Sequence, residues 1–419
     1  MIIVVVGVNH RTAPVEVRER LALSRDQITD ALPILHNYVN KGVILSTCNR
    51  TEVYCLAEKA DTFTQKIGRF FSQLSELPTF VVTSFLYTYQ GEAAVRHLFR
   101  VACGLDSMIL GEAQILGQVR GARDRARANG SLNHPLTNLF HHAIRVGRRV
   151  RSDTEISRNA ASVSSAGVAM ARRAYGKDLS SASILVIGAG RMAKRAAKTF
   201  LDSGASRVIV ANRTYENAVN MTTEMKVSPH RFEELGEALA ASDIVLSATA
   251  APDYVLAQEQ IIQAMQKRQD RPLYLVDIGV PRNIDPRAGK VKNVTLYDID
   301  DLRAVSDANL AQRQEEVAKV EAIIDRQVAK FMAWWNSLDA VPTIAALRGR
   351  AEAIRQSEMA KTLKRMPQLS EEEQARIDAL TRAIINKILH QPIVHLKDDD
   401  RGDSYLQSVR QLFDLKEEA

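Results

Sequence analysis

The sequence predicts a multidomain α/β protein, and three observations carry that reading. Residues 182–300 alternate apolar, strand-like runs with helical stretches, the pattern of a parallel sheet with crossover helices. Residues 1–90 run in the order βαββαβ, which suits a small split-βαβ sheet of the ferredoxin-like kind. From Asp298 to Leu338 neither proline nor glycine interrupts a strongly helical stretch. A chain of 419 residues is also too long for one ordinary core. The expected divisions are 1–157, 158–300 and 301–419.

The first region carries β-rich runs at 2–8, 42–46, 51–57 and 85–89, with helical stretches near 25–39 and 61–76. Its opening run, Met1 to Gly7, is apolar but short and lacks a basic leader, so it reads as a buried strand rather than a signal peptide. Residues 91–178 form a mostly helical extension, broken at Gly104, Gly130 and Pro135. In the middle region strands are expected at 183–187, 207–211, 244–248 and 273–277.

Beyond Asp298, Leu310, Val317, Val320, Ile324, Val328, Phe331 and Trp335 make a heptad-like stripe. One helix of about forty residues would be about 60 Å long at 1.5 Å per residue, so it must bridge domains or pair with a partner. Ser370 and Glu373 form a capping box ahead of Ile377, Leu380, Ile384 and Ile388. An all-α tail of this kind is most simply an oligomerisation module.

Composition narrows the function. Hydrophobic residues make up 46% and charged residues 25%, and there is no run of eighteen apolar residues, so a membrane-spanning role is not expected. The three cysteines, Cys48, Cys55 and Cys103, are too few and too oddly spaced for a disulfide framework or a structural zinc site, so no metal is expected. A reducing, cytoplasmic setting follows, in which a thiol is available for chemistry. Nine arginines between Arg120 and Arg158 face only Asp124, Asp153 and Glu155, a local excess that accounts for nearly all of the net charge of +7. A concentrated basic face suits a polyanion such as a nucleic-acid backbone, and equally a pair of solvated helices.

Ser183 to Ile187 run directly into Gly188-Ala189-Gly190-Arg191-Met192-Ala193, a G-x-G-x-x-A sequence seated after a strand and before a helix. The first glycine permits a tight turn, the second lets the backbone approach a pyrophosphate, and Ala193 lets the helix pack closely on the sheet. A nicotinamide dinucleotide is the expected cofactor. The next strand ends in Asn212-Arg213-Thr214, with no acid to bind ribose hydroxyls and an arginine within reach of a 2′-phosphate, which favours NADPH over NADH. Elsewhere, Val43-Ile44-Leu45 leads into Ser46-Thr47-Cys48-Asn49-Arg50-Thr51-Glu52. Cys48 is a candidate nucleophile at a strand end, with Arg50 to lower its pKa and hold an anionic substrate; a buried packing cysteine is the competing reading. Cys55 lies in the next strand pattern and reads as structural.

These motifs resemble the glutamyl-tRNA reductase family, in order and along essentially the whole chain. The resemblance rests on Gly7-Val8-Asn9-His10-Arg11-Thr12-Ala13-Pro14, the Cys48 segment, Gly104 to Glu112, Gln114-Ile115-Leu116-Gly117-Gln118, the Gly188 motif, and Val276-Asp277-Ile278 with Val280-Pro281-Arg282. It implies an N-terminal catalytic domain, a central NADPH-binding Rossmann domain, a long spinal helix and an all-α C-terminal domain that makes a homodimer. It also implies a reaction: Cys48 attacks the ester joining glutamate to its tRNA, a thioester forms, and hydride from NADPH reduces it to glutamate-1-semialdehyde. That is the first step of porphyrin synthesis from glutamate.

By the same resemblance Arg50 would bind the substrate carboxylate, while Thr47, Asn49, Ser107, Glu112, Gln114 and Gln118, with the backbone of Ala113, would line the glutamate pocket. His97 would act by proton transfer or by orienting the ester; read alone, it fits a hydrogen-bonded helix histidine better. The arginine-rich helices would face tRNA, the aldehyde would pass to an aminomutase in a transient complex, and haem would regulate the enzyme. Two positions depart from the family pattern: Ala113 stands where some members have proline, and Cys103 where a small residue is common. Two other readings fit parts of the chain. A small-molecule dehydrogenase of the shikimate type leaves the Cys48 motif, the basic helices and the tail idle. A non-catalytic tRNA- or haem-binding scaffold predicts a broken motif, yet Cys48, Arg50 and His97 are all present.

Overall fold

The structure is a computed structural model that describes residues 1–157, 162–302, 314–338, 340–396 and 402–415. The chain separates into two compact units, residues 1–326 and 327–419. Arg158 of the basic cluster and Leu310 of the heptad-like stripe lie outside the described residues.

The first unit begins with β1 (Ile2–Asn9), α1 (Val15–Leu21), α2 (Arg25–Leu35), β2 (Gly42–Ser46), β3 (Arg50–Ala57), α3 (Ala60–Ser75), α4 (Thr79–Phe85) and β4 (Tyr87–Gln90). The strands form an antiparallel sheet in the order β2-β3-β1-β4, the expected ferredoxin-like arrangement. Period-two alternation distributes its apolar residues to both faces. Val4, Val6, Val8, Ile44, Val53 and Cys55 join a core with Ile28, Leu32 and Leu35 of α2 and Phe63, Ile67, Phe70 and Phe71 of α3. On the other face Tyr54 meets Phe140 edge-on, ring centroids 5.4 Å apart. That face is covered by α5 (Glu92–Cys103), α6 (Gln114–Ala128) and α7 (His134–Asp153). Pro135, expected as a break, instead opens α7: it sits in the first turn, where a missing N–H costs nothing, and Asn133 caps the helix by accepting from the Leu136 N–H at 3.0 Å. The fourth strand starts later than expected because the residues before it close a turn of helix at Phe85.

The second half of this unit contains α8 (Val163–Tyr175), β5 (Ser183–Ile187), α9 (Arg191–Asp202), β6 (Arg207–Asn212), α10 (Tyr215–Thr222), β7 (Ser228–Arg231), α11 (Leu235–Ala241), β8 (Ile244–Ser247), α12 (Gln258–Gln266), β9 (Leu273–Asp277) and β10 (Val294–Tyr297). The six strands are parallel and ordered β10-β9-β8-β5-β6-β7, the doubly wound Rossmann topology with its switch point between β5 and β8. Alternate residues again feed two cores: Ile184 and Val186 face Ala196, Ala197 and Phe200 of α9, while Leu185 and Ile187 face Leu235 and Leu239 of α11. The two strands that had not been expected, β7 and β10, are edge strands, and β7 is the polar run Ser-Pro-His-Arg with no apolar signal. Val15, Met108 and Ile109 of the first half belong to the same apolar cluster as Val163, Ile278, Ile299 and Leu302 of the second, so the halves share a core.

Among the described residues the helix expected from Asp298 is shorter: residues 299–302 form a turn, and α13 (Gln314–Asn336) has 23 residues, burying Val320, Ile324, Val328 and Phe331 of the heptad-like stripe and leaving Val317 and Trp335 half-buried. The second unit contains α14 (Ala340–Arg365), α15 (Glu371–Leu396) and α16 (Gly402–Leu412), packed around Ile344, Leu347, Leu389, Ile393 and Val409. Ser370 and Glu373 make the expected reciprocal capping bonds at the start of α15. Further along that helix Leu380, Ile384 and Ile388 line up one turn apart and stay exposed, 61%, 48% and 64% respectively. Among the described residues no helix is long and apolar enough to cross a membrane.

Candidate active site

The hairpin between β2 and β3 is closed by residues 47–50. Thr47 shapes it: its N–H donates to the Arg50 carbonyl at 2.8 Å, and its hydroxyl accepts from the N–H groups of Asn49 (3.1 Å) and Arg50 (3.2 Å). This tight turn presents Cys48, half-buried, at its tip, where it packs on the apolar cluster that the two halves of the first unit share. Cys55 and Cys103 are fully buried.

Behind the turn, β3 points Arg50, Glu52 and Tyr54 to one face at period two. Glu52 is completely buried and accepts from four donors. Arg50 Nη1 donates at 2.7 Å, Tyr54 Oη at 2.5 Å and His97 Nε2 at 2.9 Å, and the Tyr87 hydroxyl completes the set. Gly7 makes this possible: in β1 it pairs with Glu52 on one side and Tyr87 on the other, and a Cβ there would lie 2.5 Å from the Thr51 carbonyl oxygen and 2.8 Å from Glu52. Arg50 Nη2 donates to the carbonyl of Asp106. The Asp106 carboxylate accepts from Arg100 Nε (3.2 Å) and Nη2 (3.1 Å) and lies 3.7 Å from His97 Nδ1. His97 is thus held between two carboxylates, with its ring 4.8 Å from that of Tyr89. Arg100 continues to Glu321, and Arg96 to Asp325, both on α13.

The charges follow from this packing. Burial opposes a charge on Glu52, but Arg50 and His97 outweigh it and hold the carboxyl well below the usual carboxylate range. Burial also opposes the charge on Arg50, and Glu52 overcomes it. Cys48 behaves differently from the sequence expectation. Its thiol is pushed up to about 12, by burial first and by the Glu112 carboxylate second; Arg18 and Arg50 lower it, but not enough. Glu112 is itself raised, chiefly by burial, against the opposing influence of Arg195, Arg50 and Arg151.

The structure therefore brings together Thr47, Cys48, Asn49, Arg50, His97 and Glu112, and places Ser107 beside the Asp106 carbonyl that Arg50 grips. Ala113 is the exposed N-cap of α6, and half-buried Gln114 and Gln118 stand one turn apart at the start of that helix, which packs on β2. Sequence reasoning assigned no role to Glu52, Tyr54, Tyr87, Asp106, Arg18 or Arg195. For Glu52 and Tyr54 a signal was available: both share the face of Arg50 at alternate positions of one strand.

At the sheet's switch point the turn after β5 fits a dinucleotide. Gly188 has φ 112°, and a Cβ there would lie 2.7 Å from the Ala248 carbonyl oxygen. Gly190 caps α9, and a Cβ there would meet nothing within 4 Å, so the space over the helix N-terminus is open to a pyrophosphate. Ala189 and Met192 are half-buried around this turn, Arg191 is exposed and Ala193 is buried against the sheet. At the end of β6 the Asn212 side-chain amide donates to the Thr214 carbonyl at 2.8 Å, folding the turn so that Arg213 is exposed beside it.

A doubly wound sheet with this glycine turn, joined through a shared core to a domain that presents a cysteine, is the architecture of a nicotinamide-dependent oxidoreductase. The family model for the N-terminal domain of glutamyl-tRNA(Glu) reductase matches residues 6–154, the shikimate/quinate 5-dehydrogenase model residues 169–305, and the glutamyl-tRNA(Glu) reductase dimerisation domain residues 319–415. A glutamyl-tRNA reductase of Geotalea daltonii is 41% identical over 421 residues, covering 99% of this chain and 97% of the relative. One of Pelotomaculum thermopropionicum is 44% identical over 420 residues, covering 99% and 94%. The solved glutamyl-tRNA reductase of Methanopyrus kandleri is 33% identical, covers 99% of both chains and superposes with a TM-score of 0.51. The chain belongs to the glutamyl-tRNA reductase family.

Proposed function

We propose that this protein reduces glutamyl-tRNA(Glu) to glutamate-1-semialdehyde with NADPH, through a thioester on Cys48, at the first step of tetrapyrrole synthesis. The observation that carries the proposal is the place of Cys48: a half-buried thiol on a tight turn, beside Arg50 and Glu112, on the core shared with the nucleotide domain. In the first step the Cys48 sulfur forms a bond to the ester carbonyl carbon. The bond to the tRNA ribose oxygen breaks, and that oxygen leaves with a proton. Because the resting thiol is neutral, its proton must depart as the new bond forms. Glu112 is the carboxylate that couples most strongly to it and is the proposed acceptor. When bound, NADPH supplies the hydride that takes the thioester to the aldehyde, and the thiol is regenerated.

Arg50 holds the substrate carboxylate in this proposal, and its orientation is set by Glu52 and the Asp106 carbonyl. His97 acts on Glu52 and Asp106, so it orients Arg50 rather than reaching for the ester itself. Thr47 and Asn49 hold the turn, and Ser107, Glu112, Gln114, Gln118 and the Ala113 backbone line the glutamate pocket. The turn at Gly188-Ala189-Gly190 with Arg191, Met192 and Ala193 receives the pyrophosphate. Asn212, Arg213 and Thr214 receive the 2′-phosphate, so NADPH should bind more tightly than NADH.

The exposed arginines 120, 127, 145, 148 and 149 on α6 and α7 form the proposed tRNA face. Leu380, Ile384 and Ile388 form the apolar seam of a homodimer. A cytoplasmic location and transfer of the reactive aldehyde to an aminomutase complete the proposal. The test is NADPH oxidation with glutamyl-tRNA by wild type and Cys48→Ser side by side. Turnover by wild type, lost in the variant with NADPH binding retained, supports the reading. Turnover that survives in the variant overturns the thioester.

A further inference from the structure

The short helix α1 carries contacts in two directions. Glu16 and Glu19 receive Arg282 of the nucleotide-binding half: Nη1 donates to Glu16 at 2.9 Å, and Nε and Nη2 donate to Glu19 at 3.0 and 2.8 Å. Arg18, between them in sequence, turns inward and is only 2% exposed. Every nitrogen of its guanidinium is engaged. Nε donates to the Ala13 carbonyl at 3.1 Å, and Nη1 donates to the Cys48 carbonyl at 3.0 Å and to Asn49 Oδ1 at 3.4 Å. Nη2 donates to the carboxylate of Asp300, just beyond β10 in the nucleotide-binding half.

One planar cation therefore touches both the backbone of the nucleophile and the far domain. A guanidinium is rigid, so fixing one edge fixes the other. We propose that Arg18 is a positioning residue that couples the docking of the nucleotide domain, through Asp300, to the geometry of Cys48. With Asp300 engaged, the Cys48 carbonyl is clamped and the acyl group on sulfur faces the cofactor side. With Asp300 disengaged, the turn loosens, and the acyl group is reduced less often before water reaches it. This rests on the thioester reading above.

The competing fates of the thioester give the readout. Hydride transfer ends in the aldehyde; addition of water to the carbonyl carbon breaks the C–S bond and ends in free glutamate and the thiol. In Asp300→Asn, release of tRNA without NADPH should stay within about twofold of wild type, because Arg50 and Glu112 are left in place and the bound ester, not the turn, sets the approach of the sulfur. With saturating NADPH, the ratio of aldehyde to free glutamate should fall roughly tenfold, the scale of one charge-assisted hydrogen bond at a partly exposed site. Arg18→Lys, which keeps the charge but loses the fork, should lower both the ratio and the rate of tRNA release. An unchanged ratio in both variants, measured per titrated Cys48 thiol, overturns the proposal.

Alkylation of Cys48 by iodoacetamide supplies a measurement that needs no turnover. It should run several-fold faster in Asp300→Asn than in wild type at one pH, and equal rates overturn the coupling. Absence of turnover in wild type, with the alkylation difference present, removes the reductase reading and leaves the coupling standing.

Discussion

Glu52→Gln is the substitution that most directly tests the buried network. Glu52 is fully buried and takes hydrogen bonds from Arg50, Tyr54, Tyr87 and His97, and Arg50 is itself 2% exposed. The amide keeps the shape but removes the charge, leaving Arg50 with the Asp106 carbonyl as its chief acceptor. Breaking a buried ion pair from one side costs about 3–5 kcal/mol, and the bonds an amide oxygen can still accept bring the expectation to the lower end, ~3 kcal/mol. With an m-value of roughly 2 kcal/mol per molar urea, the transition of the first domain should move down by about 1–2 M. Near-UV circular dichroism follows it, since Tyr54 and Tyr87 lie in the network. The pH dependence gives a sharper check. The folded-state pKa of Glu52 is depressed, so its stabilisation is complete above the unfolded carboxyl value of about 4.3 and is lost as pH falls below that towards the folded value. The gap between wild type and variant should be constant above about pH 5.5 and shrink between about pH 4 and 3. A shift worth under about 1 kcal/mol at pH 7, or a gap at pH 3 as wide as at pH 7, would refute the assignment of Glu52 as the network's charged centre.

Three further outcomes are expected. Gly190→Val should fold as wild type, because its Cβ has open space, but should weaken NADPH binding at least tenfold in a fluorescence titration; Gly188→Ala should instead lose ~1–3 kcal/mol of stability in urea, since its φ of 112° is hostile to a side chain. The alkylation rate of Cys48 should still be rising at pH 9, as a thiol pushed up to about 12 demands, and a plateau near neutral pH would contradict its burial beside Glu112. Ile384→Asp with Ile388→Asp should convert the dimer to monomer by light scattering without loss of helicity, because both side chains are exposed within the second unit.

Much of the fold was legible because its signals are local. Continuous apolar runs in β1 and in the central strands of the Rossmann sheet, the glycine turn at 188–190 and the capping box at Ser370 each occupy a few adjacent residues. Of the strands that escaped notice, β7 is a polar run at a sheet edge, where pairing on one side asks little of side-chain hydrophobicity, and β10, Val-Thr-Leu-Tyr at the other edge, is only four residues long. The Cys48 turn was legible as a motif, but its surroundings were not. Asp106, His97 and Arg18 come from three separate helices or loops, and their sequence separations from Glu52 and Cys48 obey no period. Only the register of β1 against β3 and β4 reveals that Gly7 is small so that Glu52 and Tyr87 can meet across it.

Burial, with the Glu112 carboxylate beside it, explains why Arg50 does not make Cys48 a resting thiolate. A cation lowers a nearby thiol only with the field left over after its own counter-ions are subtracted. Arg50 is matched by Glu52, and Arg18 by Asp300, while Glu112 adds a negative charge on the thiol's own side. The turn is thus held by strong charges, while burial outweighs the lowering that Arg18 and Arg50 exert on the sulfur. In the proposed reaction this arrangement has a use. A permanent thiolate would react with any electrophile, whereas a neutral thiol that must give up its proton during attack reacts when an ester carbonyl is held against it. The charges near Cys48 then serve geometry first, by fixing Arg50 for a substrate carboxylate and Arg18 for the turn, and the reactivity of sulfur is left to the carboxyl of Glu112 and the substrate itself.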